Sequence, residues 1–258
     1  MKTLKSNIAS FMIATLFSIT NLNVVAQGLE TRVITGKISD GEHPIVNVAV
    51  TDGQNIVTTD KNGCYSIKTS VNTRFVYITT PAGYVVPVKD KTIPQFYQYL
   101  ETDKNTYDFK LTKNQYNDNN HTFVVHSDVQ VTSTDDINQY KTIIDDCRNT
   151  INKTKGDVFG IDCGDIVGDS PQLYPNYIET VSALKIPFFR AIGNHDMDYY
   201  GRSHETSYKT FEKYFGPTVY SFNKGKAHYI ILNNNFFIGR DYFYMGYVDE
   251  KTFRWLEQ

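Results

Sequence analysis

Three short motifs that carry carboxylate, amide and imidazole side chains follow one another along the second half of the chain. Asp128 follows a short apolar run, Asp165 follows a glycine after the next run, and a third run leads into Gly193–Asp196, which reads Gly-Asn-His-Asp. Oxygen donors from Asp and Asn suit divalent cations such as manganese, iron or zinc. Two such cations can clamp a phosphoryl group, and a histidine beside them can transfer a proton.

The elements between these motifs must bring them together. The apolar runs 122–126, 158–163 and 188–192 predict strands, and the segments between them predict helices, the first starting with the capping-box-like stretch 133–136. This alternation predicts a parallel sheet covered by helices, followed by a hairpin over 219–233. Because open α/β sheets bind ligands at the carboxyl ends of their strands, we expect the three motifs to converge there.

The order Asp128, Asp165 and Gly-Asn194-His195-Asp196 resembles the start of the two-metal site in calcineurin-like metallophosphoesterases, from about residue 122 onward. The resemblance implies hydrolysis of phosphomono- or diesters with two divalent metal ions (Mn, Fe or Zn) and a metal-bridging hydroxide. By similarity, Asp128 binds the first metal, Asp165 bridges both, and Asn194 binds the second. His195 would stabilise the transition state or protonate the leaving group, and Asp196 would fix its tautomer and orientation.

Two positions depart from this family's usual pattern. Gln130 stands where histidine is usual, and its amide oxygen can coordinate a metal, although more weakly than imidazole. Gly168 stands where the second motif often has another aspartate, and we interpret the following Asp169 as a helix cap ahead of Pro171. His126, which lies deeper in the strand, is interpreted as a core histidine.

The histidine motifs that usually complete such a site have no match after Asp196. We therefore expect this chain to be the N-terminal portion of a longer enzyme, with an incomplete metallophosphoesterase-type α/β sandwich. The alternative is a non-catalytic secreted binding module with a degenerate phosphoesterase domain. For substrate contact we expect the loop 197–208, where Arg202 can fork onto a phosphate and His204 can reach the mouth of the site.

The first half of the chain has a different texture. Apolar residues recur at nearly period two from about 31 to 112, with glycine and Asx turns between them, which predicts a small antiparallel β-sandwich. The stretches 36–45 and 52–65 resemble carboxypeptidase-regulatory-like (transthyretin-like) domains. Asp60 and Asn62 are interpreted as a turn rather than as calcium ligands, since no further carboxylates cluster nearby. We expect an accessory domain at 27–112, a polar linker at 113–120 and the phosphoesterase domain at 121–258.

Residues 1–26 have the pattern of a secretory signal peptide, with two lysines, an apolar run too short to span a bilayer, and small residues before Gln27. We expect a periplasmic or secreted protein without a membrane span after signal removal. With 26 basic and 28 acidic residues, the chain has no electrostatic footprint for nucleic acid. The expected substrate is a phosphorylated small molecule or an envelope-derived compound. We interpret the thiols of Cys147 and Cys163 as inert core groups rather than as a disulfide.

Overall fold

The computed structural model describes residues 30–240 and 243–258 of the 258-residue chain. The predicted signal peptide at 1–26 lies outside the described residues. Within the described ranges, no helix is long and apolar enough to cross a membrane.

Short strands make up the first half of the described chain: β1 (Thr31–Ser39), β2 (Ala49–Thr51), β3 (Ile56–Thr58), β4 (Cys64–Ser70), β5 (Phe75–Ile78), β6 (Tyr84–Val85), β7 (Val88–Lys89), β8 (Ile93–Pro94), β9 (Tyr97–Tyr99), β10 (Phe109–Lys110) and β11 (Thr112–Lys113). One sheet has the order β10-β1-β4 and another has the order β3-β2-β5-β9. Both sheets contribute to one hydrophobic core, which includes Ile34, Val50 and Ile67. This β-rich region agrees with the predicted sandwich, except that β1 and β10 pair in parallel.

The predicted Asx turn at Asp60 is confirmed. The Asp60 carboxylate accepts hydrogen bonds from the backbone N–H groups of Asn62 and Cys64, each at 2.8 Å. The side chain therefore closes a turn into β4, as an aspartate at such a position commonly does.

Strands and helices alternate in the second half: β12 (His121–His126), α1 (Thr134–Ile151), β13 (Asp157–Asp162), α2 (Tyr174–Ser182), β14 (Phe188–Arg190), α3 (Lys209–Phe215), β15 (Tyr220–Lys224), β16 (Ala227–Ile231), β17 (Asn235–Gly239), β18 (Phe243–Gly246) and α4 (Glu250–Leu256). The strands β12, β13 and β14 form a parallel sheet in that order. The predicted βαβαβ unit and the hairpin of β15 and β16 are confirmed.

Side chains from different elements cover the two faces of the parallel sheet. On one face, Tyr140 of α1 stacks on Tyr177 of α2, with 5.7 Å between ring centroids. On the other face, Phe189 of β14 stacks on Phe222 of β15 at 3.7 Å. Aromatic side chains thus cover the sheet on both faces at β13 and β14, whereas Phe123 and Val125 on the outer strand β12 stay exposed.

The sandwich and the α/β region pack directly on each other. Phe96 lies on Tyr220 with 4.4 Å between ring centroids, and both belong to the core that includes the sandwich. Arg74 of the sandwich pairs with the buried carboxylate of Glu212 in α3, with 2.7 Å between Nε and Oε2. The sandwich therefore supports the sheet that carries the three motifs.

The polar segment 113–120, interpreted as a linker, is held in place by specific contacts. Lys113 belongs to β11, which pairs with β6. The Asp118 carboxylate is buried and accepts the Gly83 N–H at 2.7 Å, and Asn114 Nδ2 donates to Asp157 Oδ2 at 3.0 Å. These contacts connect the segment to both halves of the chain.

The three cysteines are free thiols, so Cys147 and Cys163 form no disulfide bond, as expected. Cys64 and Cys163 are exposed and Cys147 is half-buried. The interpretation of Cys163 as a core thiol is therefore wrong, because this residue lies past the end of β13, where the sheet opens to solvent.

Candidate metal centre

The loops that follow the three parallel strands meet at one edge of the sheet. The Gln130 N–H in the loop after β12 donates to the carbonyl oxygen of Asp165 in the loop after β13, at 2.8 Å. The Asp169 N–H in this second loop donates to the carbonyl oxygen of His195 in the loop after β14, at 3.2 Å. Residues 35 and 26 positions apart in sequence are thereby joined into one site, at the end of the sheet where α/β proteins bind ligands.

Asp165 occupies the middle of this site. Its Oδ1 accepts the backbone N–H of His195 at 2.9 Å, and its Oδ2 lies 3.2 Å from Nε2 of Gln130. A Cβ atom on Gly193 would overlap the backbone nitrogen and the carboxylate of Asp165. Glycine at position 193 is thus what allows the third loop to approach this carboxylate closely.

The backbone of the site adopts an unusual conformation. Asp128, Gln130, Asp165 and Asp169 have φ angles between 44° and 56°, in the left-handed region that side chains other than glycine seldom occupy. Aspartate tolerates this region better than most residues, but glutamine has no such preference. Backbone of this kind persists only where the surrounding structure holds it, and it clusters at ligand and active sites.

The donors on the three loops have the chemistry of a hard-cation site. Asp128 and Asp165 supply carboxylates, whereas Gln130 and Asn194 supply amides. Among the described residues, no group of three or more His, Cys, Asp or Glu side chains is placed to hold a metal. Two of the four donors are amides, which are not members of such a group. Carboxylate and amide oxygens are suitable ligands for divalent cations, so the residues fit such a group.

His195 is oriented by a residue that the sequence interpretation placed elsewhere. Its Nδ1 lies 3.1 Å from Oδ1 of Asp169, and the two side chains are 37% and 60% exposed. The interpretation of Asp169 as a helix cap is wrong, because Ser170 occupies the cap position of the short helix Pro171–Leu173 and no side chain caps it. With Nδ1 engaged by Asp169, Nε2 is the ring nitrogen left for chemistry.

Asp196 has a different environment from the one expected. Its side chain is only 2% exposed. The carboxylate accepts hydrogen bonds from four donors: Ile166 N–H, Val167 N–H, Gly193 N–H and the Tyr174 hydroxyl. Burial raises the pKa of Asp196 to about 6, although these donors oppose the shift. The expectation that Asp196 orients His195 is corrected. The buried carboxylate of Asp196 links the second loop to the third through hydrogen bonds to their backbone N–H groups, and Asp169 contacts the imidazole of His195.

Arg202 lies beside the site. It lines a cleft of about 600 Å³ together with Asp169, Met197, Tyr199 and Tyr200. Because Asp169 is also the partner of His195, this cleft adjoins the imidazole. Tyr200 lines the same cleft and is 77% exposed, and the guanidinium over its ring, 5.3 Å from the ring centroid, is that of Arg240.

His204 does not share this cleft. It lines a separate pocket of about 430 Å³ between the sandwich and the α/β region. Its ring stacks on Phe236 at 4.3 Å, its Nδ1 accepts the Phe237 N–H at 3.3 Å, and burial lowers its pKa. The expectation that His204 reaches the mouth of the site is corrected, because the ring is packed against β17.

A strand-end site of carboxylates and amides beside a carboxylate-bound imidazole is typical of metal-dependent hydrolases. Two family models match the chain: "N terminal of Calcineurin-like phosphoesterase" over residues 32–114 and "Calcineurin-like phosphoesterase" over residues 121–257. The chain belongs to the calcineurin-like phosphoesterase family, whose general activity is metal-dependent hydrolysis of phosphoesters. No curated protein and no solved structure matches the chain.

Proposed function

We propose that this chain hydrolyses phosphomono- or diesters at a two-metal centre formed by Asp128, Gln130, Asp165 and Asn194. The observation that carries the proposal is the position of Asp165, whose two carboxylate oxygens face the loops on either side. A carboxylate so placed is suited to bridging two cations. Asp128 and Gln130 would serve one of them from the first loop, and Asn194 would serve the other from the third.

His195 is the proton donor in this proposal. When bound, the two cations would polarise the phosphoryl group and activate the attacking water. Asp169 holds Nδ1 of His195, so that Nε2 can deliver a proton to the departing oxygen. Asp196 does not take part in proton transfer, since its oxygens are engaged by buried donors.

The donors that the described residues supply to this centre are oxygens, which favour Mn²⁺ over Zn²⁺. Zinc sites in proteins are mostly built from thiolate and imidazole, whereas manganese accepts carboxylate and carbonyl oxygen. Gln130 supports this preference, because it offers an amide oxygen where imidazole would favour zinc.

The test is hydrolysis of p-nitrophenyl phosphate and bis(p-nitrophenyl) phosphate by metal-stripped protein, before and after Mn²⁺, Fe²⁺ or Zn²⁺ is added. We expect Asp165→Asn and His195→Gln each to lower kcat/KM by about 10²-fold or more. His228→Gln is the matched control, since this exposed histidine lies on β16 and forms a hydrogen bond with Asn223. Metal binding without turnover of either ester would contradict the proposal and support the non-catalytic binding module.

We propose that the cleft beside Asp169 holds the substrate, a phosphorylated small molecule or an envelope-derived phosphate compound, through Arg202. A planar guanidinium can bind two phosphate oxygens at once, whereas lysine offers a single point charge. Arg202→Lys should therefore raise KM by about tenfold with little change in kcat. His204→Gln is the control, because His204 lies in the other pocket. A larger effect of His204→Gln on KM would move the substrate site to that pocket.

We further propose that the protein acts in the periplasm or outside the cell, on the basis of the sequence of residues 1–26. Mass spectrometry of the protein exported by its own cells should find Gln27 as the first residue. An exported or cytosolic form that begins at Met1 would contradict this proposal.

A further inference from the structure

A row of ionisable side chains crosses the parallel sheet directly beneath the candidate metal centre. His126, Asp162 and Arg190 are register partners on β12, β13 and β14, and we call them the His–Asp–Arg ladder. His126 Nδ1 lies 3.3 Å from Asp162 Oδ1, and Arg190 Nε lies 3.0 Å from Asp162 Oδ2. Their exposures are 8%, 1% and 3%, so the ladder is almost completely removed from water.

Groups from the helices and from the preceding domain hold the ladder from outside the sheet. The Tyr177 hydroxyl of α2 donates to Asp162 Oδ2 at 2.7 Å, and the Tyr140 hydroxyl of α1 lies 2.8 Å from His126 Nδ1. The guanidinium of the ladder donates to the hydroxyl of Thr92 at 2.9 Å and to its carbonyl oxygen at 3.3 Å. Each member is therefore held both within the sheet and from outside it.

Stability alone does not account for charges in this position. Moving ions into an apolar interior is so unfavourable that well-packed apolar side chains of similar volume are often at least as stabilising. Close pairs of opposite charge do, however, favour a single alignment of neighbouring strands, which apolar contacts specify less strictly. The ladder lies where alignment matters, because each of its members ends a strand.

We propose that the His–Asp–Arg ladder is a positioning device for the metal centre, an inference that rests on the proposed function. His126 lies two residues before Asp128, Asp162 lies three before Asp165, and Arg190 lies four before Asn194. By fixing the three strand ends relative to one another, the ladder sets where the three donor loops begin. Asp162 and Arg190 are positioning residues that act on metal affinity through the loops and do not touch the metal.

The same strand carries a matched control at its other end. Asp157 begins β13 and pairs with Lys224, with 2.7 Å between Oδ2 and Nζ, and both side chains are buried. Five residues separate it from Asp162, which is about 16 Å along a strand. Replacing Asp157 disrupts a buried ion pair of the same strand far from the donor loops.

The experiment is isothermal titration calorimetry of Mn²⁺ into metal-stripped full-length chain, with thermal unfolding of each protein measured alongside. Asp162→Asn should weaken Mn²⁺ binding about tenfold or more, as loss of groups that orient metal ligands commonly does. Tyr177→Phe removes only the hydroxyl that donates to Asp162, and should weaken binding by about twofold to tenfold in a fully folded protein. Asp157→Asn should change the Mn²⁺ affinity by less than about twofold, even if its melting temperature falls as far as that of Asp162→Asn.

Several outcomes would overturn the inference. Wild-type Mn²⁺ affinity in a folded Asp162→Asn protein would overturn it. An equal loss of Mn²⁺ affinity in Asp157→Asn would also overturn it, because the loss would then follow protein stability and not the position of the substituted residue. Should Asp162→Asn fail to fold, wild-type affinity in Tyr177→Phe would decide against the ladder. Absence of Mn²⁺ binding by the wild-type chain would refute the proposed metal centre together with the ladder, whereas the other outcomes leave that centre intact.

Discussion

Two aspartates lie near His195, and the structure assigns them opposite roles that substitution can separate. Asp169→Asn changes an exposed pair, and exposed ion pairs contribute about 0–1 kcal/mol to stability. Asp196→Asn replaces a carboxylate that accepts from three backbone N–H groups in the interior. Asparagine keeps one acceptor oxygen but places an NH₂ group against a buried donor, which costs about 1–3 kcal/mol.

These free energies translate into clearly different melting temperatures. At about 2–4 °C per kcal/mol for a chain of this size, the middle of the range for Asp196→Asn, about 2 kcal/mol, lowers its melting temperature by roughly 4–8 °C. Asp169→Asn should melt within about 4 °C of the wild type. For kcat the order reverses: Asp169→Asn should lose about tenfold to a hundredfold, because His195, the proposed proton donor, loses its fixed orientation.

The assay combines circular dichroism melts in EDTA with initial rates of ester hydrolysis in saturating Mn²⁺. Rates are measured well below the melting temperature of the less stable variant, so that the amount of folded protein does not limit them. A wild-type kcat in Asp169→Asn, together with a large loss of kcat in Asp196→Asn at unchanged melting temperature, would refute the assignment. Asp196 would then be the residue that orients the imidazole, as the family resemblance first implied.

Three further perturbations test other parts of the structure. Arg74→Met should destabilise the protein by about 2 kcal/mol at pH 7.5, because the buried Glu212 carboxylate loses its partner. Burial raises the pKa of Glu212. The loss of unfolding free energy in Arg74→Met, measured by urea unfolding, should therefore shrink as the pH falls through this raised pKa and Glu212 becomes neutral. A loss that does not depend on pH would contradict this. Hydrogen bonds, first that of the Thr132 hydroxyl, lower the pKa of Asp136 to about 2. The stability it contributes above pH 4 should disappear between about pH 4 and 2, and Asp136→Asn should lack this step in acid titrations followed by circular dichroism. Gly193→Ala should cost about 1–3 kcal/mol and weaken Mn²⁺ binding, since its Cβ would overlap the second loop; wild-type melting and affinity would contradict the reported approach.

The frame of the catalytic domain could be predicted from sequence because its signals are local. The capping box joins Ser133 and Asp136 at the start of α1, and Ile137, Tyr140 and Ile144 are buried along one face of that helix. A capping box and a stripe at helical spacing involve only residues within a few turns of one another. His126 is buried, as its interpretation as a core histidine requires.

The partners of His195 could not be predicted from sequence because they depend on how the loops turn. Adjacent residues in a tight turn point in different directions, so Asp196 enters the interior while the partly exposed His195 contacts Asp169. Asp169 contacts the imidazole from another loop. Its backbone is in the left-handed region, which no local sequence pattern predicts here. A spacing rule that looks for an aspartate at position 168 passes over it by one residue.

Two members of the ladder are charged residues that interrupt apolar runs of the sequence. In the runs 158–163 and 188–192, Asp162 and Arg190 are the charged members, and each stands a few residues before a motif of the candidate metal centre. Either residue alone would be costly in the interior, so each predicts a partner on a neighbouring strand. Parallel pairing makes them opposite each other, and His126 completes the row. The two charged residues are visible in the sequence, but their pairing could not be predicted without the register of the strands. A shift of one residue would have placed these side chains on opposite faces of the sheet.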